Sequence, residues 1–117
     1  MKAFRYINGS SNEIIAHRVF TADNFFKRLF GLLFKKPLKN GEALFIRGCK
    51  SIHTIGMRYS IDAVFIDESG KVISAIKDIL PWRFTPHIRG ARSVIEFKSG
   101  LLKEKPLNAG DKIIFVQ

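Results

Sequence analysis

The chain has 117 residues and carries 20 Lys+Arg against 10 Asp+Glu, a formal net charge of +10. That length fits one domain, read as spanning 1–117, and a 46% hydrophobic content excludes disorder over the whole chain. No apolar run approaches the roughly 20 residues that a membrane helix needs. After Met1-Lys2 there is no apolar signal core, so the sequence reads as cytoplasmic.

Turn signals cut the chain into short pieces rich in Ile, Val and Phe, the pattern of a mainly β domain. Residues 3–7 and 14–20 flank Asn8-Gly9-Ser10-Ser11, which predicts an opening hairpin. Across residues 22–33 the apolar positions Ala22, Phe25, Phe26, Leu29, Phe30, Leu32 and Leu33 recur every three to four residues and predict one amphipathic helix. Thr21 or Asp23 can cap it, and Pro37 followed by Asn40-Gly41 ends it. A strand is expected over 43–46.

Ile61–Ile66 is apolar at nearly every position, which predicts an inner strand covered on both faces. Asp67-Glu68-Ser69-Gly70 is a turn, with a return strand over 71–76. Pro81, Pro86 and Gly90 keep residues 81–91 irregular, and two late strands are expected over 93–97 and 112–116, separated by a loop containing Pro106.

The stretch from Cys49 to Asp62 collects a thiol, an imidazole, hydroxyls, a guanidinium and a carboxylate. Ser51, His53, Thr54, Arg58 and Asp62, with Trp82 and Arg83 from the irregular segment, are the candidate binding residues. Two readings of Cys49 and His53 stand. A thiolate favoured by Lys50, His53 or Arg58 is a nucleophile, with His53 as its base or partner. A buried cysteine beside a packing histidine is the plainer alternative.

Arg58 and Asp62, four residues apart, are expected to form a structural ion pair. Asp62, opening an apolar strand, must be paired or hydrogen-bonded if buried, with Arg58 or the Gly56-Met57 amides nearest in sequence. Cys49, His53, Asp62 and His87 become a metal set only if the fold gathers distant loops, and no metal site is assigned. The single cysteine also excludes an internal disulfide. No Gly-x-Gly-x-x-Gly, phosphate-binding loop or Gly-x-Ser-x-Gly elbow occurs, so no cofactor is expected.

Two basic regions stand out. Lys27, Arg28, Lys35, Lys36 and Lys39 form one, with no acid among them, and Arg83, Arg89, Arg92, Lys98, Lys103 and Lys105, set against Glu96 and Glu104, the other, with ordinary solvated surface charge as the plainer alternative. Such a field attracts nucleic acid, an acidic protein or an anionic lipid surface without choosing among them. The 11 phenylalanines mostly fall on periodic positions and are expected in the core, and Trp82 is expected to pack its loop onto the barrel mouth, with an exposed recognition surface as the alternative.

Arg28-x-x-Gly31-Leu32-Leu33, then Cys49-x-Ser51-Ile52-His53-Thr54-x-Gly56-Met57-Arg58-x-x-Ile61-Asp62-x-x-Phe65-x-Asp67, then Pro81-Trp82-Arg83 together resemble the DUF192 family, also called UPF0127. The resemblance continues through Gly90-Ala91, Val94-Ile95-Glu96 and Gly110-Asp111 and so covers residues 22–116. It implies a single β-sandwich or barrel of jelly-roll type with one helix packed on it. It also implies that a thiol–imidazole pair belongs only to a branch, because a Trp-Met pair is usual where this chain has His53-Thr54. Ser60 and Ile55 depart from the usual proline and phenylalanine.

With no complete catalytic set, the leading expectation is a non-enzymatic binding module. Its polar groove would lie around residues 49–62, and its basic surface would hold an anionic or peptide-like partner. A thiol-dependent enzyme using Cys49 and His53 is the alternative.

Overall fold

The computed structural model describes residues 5–9, 11–22 and 37–116. The opening hairpin is present: β1 (Arg5–Asn8) pairs antiparallel with β2 (Glu13–Ala16). The strand expected over 14–20 breaks at His17, after which β3 (Arg18–Ala22) enters a different sheet and runs parallel to β4 (Glu42–Arg47). Thr21 and Ala22 are therefore strand residues, Thr21 paired with Phe45 and Ala22 with Ile46, and not the start of a helix. Residues 23–33 of the expected helix lie outside the described residues.

The remaining strands are β5 (Ile61–Ile66), β6 (Val72–Ile79), β7 (Ser93–Lys98) and β8 (Ile113–Val116). One sheet has the order β2-β1-β8 and the other the order β3-β4-β7-β5-β6. The larger sheet is open, with β3 and β6 as its edges, so the expected strand-rich architecture is present but this sheet is not closed into a barrel. A single turn of helix, α1 (Leu101–Glu104), interrupts the loop before Pro106 where only irregular chain was expected.

β5 lies between β7 and β6, and all six of its residues are buried. Its alternation sends Val64 and Ile66 into a core shared with Ile15, Phe97, Leu102 and Ile113, to which both sheets contribute. Ile61, Ala63 and Phe65 enter a second core on the far face, with Leu44, Ile46, Val94, Ile52 and Met57. Ile52, Met57 and Ala91 come from the two long loops, so those loops act as the lid of the second core. Truncating Phe65, which is completely buried, would remove contacts worth about 3–5 kcal/mol.

The β5–β6 turn follows its sequence signal. Asp67 Oδ1 accepts hydrogen bonds from Ser69 N at 2.8 Å, Ser69 Oγ at 2.7 Å and Lys71 N at 2.9 Å. Gly70 has φ +89°, and a Cβ there would meet the Ile113 carbonyl oxygen at 2.5 Å, so the turn needs glycine on both counts.

Candidate functional site

The two loops that close the second core, residues 48–60 and 80–92, run alongside each other in opposite directions. Cys49 N donates to Arg92 O at 3.1 Å, Ile88 N to Lys50 O at 2.8 Å, and Thr85 N to Ile52 O at 2.9 Å. At the far end His53 and Phe84 form an antiparallel bridge. Neither loop contains an acid. Between them they carry Lys50, Arg58, Arg83, Arg89 and Arg92 with His53 and His87, and all seven side chains are exposed.

Thr54 fastens this end. It is fully buried, and its hydroxyl donates to Leu80 O at 2.6 Å while accepting from Arg83 N at 2.9 Å. Its backbone N donates to Arg83 O at 2.8 Å and its carbonyl accepts from Trp82 N at 2.9 Å. Four bonds to one residue hold the turn in which Trp82 takes φ +63°, a left-handed conformation that tryptophan rarely adopts.

The side chains this turn presents are apolar and exposed: Leu80 is 48% exposed, Trp82 64% and Phe84 72%. Trp82 therefore does not pack its loop down, and the alternative of an exposed ring is the one present. The left-handed turn sets its ring away from the core, which Ile52, Met57 and Ala91 already fill. Phe84 departs from the expected burial of phenylalanine for a related reason, since residues between Pro81 and Pro86 belong to no strand that could turn it inward. Its ring lies 5.9 Å from that of His53 at a tilt of 52°. The His53 Nδ1 accepts from Ile55 N at 3.3 Å.

Ser51, His53, Arg58, Trp82 and Arg83 thus belong to exposed loop surface, whereas Thr54 is the buried fastener beneath it. Asp62 lies elsewhere, on β5, 1% exposed and facing β6 and α1. Its Oδ1 accepts from Asp78 N at 2.7 Å, and its Oδ2 from Leu102 N at 2.9 Å and Gly100 N at 3.2 Å. The expected Arg58–Asp62 ion pair is not formed. Three backbone amides compensate the buried carboxylate instead, and they come from Asp78, Gly100 and Leu102, not from the Gly56-Met57 turn.

Cys49 is 1% exposed, and its Sγ donates to Ser51 O at 2.9 Å. Among the described residues no three His, Cys, Asp or Glu side chains gather as a metal site. An open pocket of about 460 Å³ lies at the Cys49–Arg92 end of the loop pair, lined in part by Arg47, Lys50 and Arg92. Glu68 reaches into it from the β5–β6 turn, 3.8 Å from Arg92, with both side chains well exposed.

The residues that sequence reasoning missed are Leu80, Phe84, Tyr59 and Glu96. Phe84 could have been found from its place between two prolines, outside any periodic element. Tyr59 packs at the edge of the second core, and Glu96 is buried on β7. Burial, and then the charge of Glu96, push the Tyr59 phenol above its ordinary value.

The family model and the sequence relatives point to the same family. The DUF192 family model, described as "Uncharacterized ACR, COG1430", matches residues 6–115. A UPF0127 protein of Pyrococcus horikoshii is 38% identical over 113 residues, covering 92% of this chain and 95% of that protein. A UPF0127 protein of Pyrococcus abyssi is 34% identical over 116 residues, covering 94% and 96%. Among solved structures, a protein of unknown function from Novosphingobium aromaticivorans superposes with a TM-score of 0.79 at 17% identity, covering 96% of this chain and 83% of that one. A putative transcription regulator from Sinorhizobium meliloti gives 0.80 at 18%, covering 96% and 91%, and these two likenesses concern the fold.

Proposed function

The chain belongs to the DUF192 family, and from its surface we propose that it is a cytoplasmic, non-enzymatic binding module for an anionic partner, held by the paired loops 48–60 and 80–92. One observation carries this reading: the loops present five exposed Lys and Arg side chains and no acid, around exposed apolar rings at Trp82 and Phe84. Cations attract and orient the partner, and desolvated aromatic surface supplies the contact energy. Ser51, His53, Arg58, Trp82 and Arg83 make the contacts, with Thr54 setting the loop shape.

The thiol-enzyme alternative has less support, because the Cys49 sulfur is buried and engaged with the Ser51 carbonyl. The binding reading is tested with size-defined heparin fragments across a salt series. Affinity should fall steeply with salt, and Arg58→Gln and Arg83→Gln should each weaken it and flatten the slope. Lys77→Gln, on the edge strand β6, should leave it unchanged. Salt-insensitive or absent binding overturns the reading.

A further inference from the structure

Resting on that reading, we propose that the anionic partner is a single-stranded nucleic acid whose bases stack on Trp82 and Phe84 while Lys50, Arg58 and Arg83 meet its phosphates. The chemistry is set out along the chain itself. Trp82-Arg83-Phe84 places a cation between two aromatic residues, and the bridge to His53 adds a third ring beside Phe84. A single strand likewise alternates charged phosphates with flat, apolar base faces. Sequence-tolerant binders of such strands combine these two elements, cations along the backbone and aromatic side chains under the bases.

Exposure and order both favour stacking. Trp82 and Phe84 are 64% and 72% exposed, so a base reaches them without displacing protein. Their backbones are already tied to Thr54 and His53, so little ordering entropy is lost on binding. A duplex opens its base faces to a protein ring only where a step is unstacked, a cost that a single strand does not impose.

Trp82 is the chain's only tryptophan and reports directly. Its emission is titrated at one salt concentration with a short oligothymidylate, a heparin fragment of similar charge, and vesicles of mixed anionic and zwitterionic phospholipid. The oligothymidylate should quench Trp82 and bind more tightly than heparin. Phe84→Ala, at an exposed position, should weaken oligothymidylate binding about tenfold while changing heparin binding less than about twofold. Trp82→Asn, which tolerates the left-handed backbone, should do the same when followed by anisotropy of a labelled strand. Equal binding of heparin and oligothymidylate, unaffected by either variant, overturns base stacking and leaves the anionic-partner reading standing. Preferential binding to vesicles with a blue shift overturns it in favour of a lipid surface. Failure of all three ligands to bind overturns both.

Discussion

The carboxylate of Asp62 and the backbone amide of Asp78 lie 2.7 Å apart, and this contact fixes a bulge in β6. Ile61 pairs with Ile79 but Ala63 with Ile76, so β6 carries one more residue than β5 over this interval. Asp78 absorbs the excess with φ +51°, and its own Oδ1 accepts from Ser99 Oγ at 2.7 Å. The other Asp62 oxygen holds Gly100, at φ +103°, and Leu102 at the start of α1. One buried side chain therefore ties β5, β6 and the β7–α1 turn together.

Asp62→Asn should accordingly destabilise the protein by about 2–3 kcal/mol, because the amide keeps one acceptor and turns a donor toward backbone N–H groups. Arg58→Met should cost less than about 0.5 kcal/mol, and the two effects should add. Denaturant melts of both single variants and the double variant check this. A coupled pair would show that Arg58 does reach Asp62.

Thr54→Val keeps the shape of the side chain but removes the hydroxyl that serves Leu80 O and Arg83 N. The expected cost is about 1–3 kcal/mol, since two partly buried hydrogen bonds are lost together. Hydrogen exchange should accelerate at the Arg83 amide, with the β5 amides unchanged. Uniform acceleration would mean that Thr54 supports the whole core and not this turn.

The Asp67 carboxyl is held below its ordinary value of 3.8, first by the Ser69 hydroxyl and then by the Lys71 amide. A depressed folded-state value stabilises the protein above the unfolded value, and that contribution disappears as pH falls through the folded one. The stability gap between the natural chain and Asp67→Asn should be constant near neutrality and close only below about pH 4. A gap that persists in strong acid would remove the turn's charge from the explanation.

The Tyr59 phenol, raised above its ordinary value of 10.0 by burial and then by Glu96, shifts in the same direction as a destabilised phenolate. Stability should therefore fall as pH rises through 10 toward the folded-state value. Glu96→Gln should lower the Tyr59 midpoint in a spectrophotometric titration but leave it above the ordinary value, because burial is the larger cause. A complete return to that value would reverse the ranking of the two causes.

Much of the strand pattern was legible because its signal is local. The unbroken apolar run Ile61–Ile66 marks a strand covered on both faces, and Asp67-Glu68-Ser69-Gly70 marks its turn. The change of sheet at His17 was not legible, since periodicity reports which face is buried and not which partner a strand chooses. The same limit explains Asp62. The need to compensate a buried carboxylate follows from its neighbours in sequence, but the amides that do so lie 16, 38 and 40 residues away. Between the two readings of Trp82 the sequence favours burial, because hydrophobicity predicts burial on average, while the exposure of Trp82 and Phe84 depends on a left-handed turn fastened by Thr54 from a distant loop.

Whether the paired loops are the binding surface is decided by amide chemical-shift mapping during titration with a size-defined heparin fragment. The largest changes should cluster over residues 50–58 and 80–92, with the Trp82 indole N–H among them. Changes concentrated instead along the groove bordered by His17, Lys39, Glu104 and Lys105, with the loop amides unmoved, would contradict it.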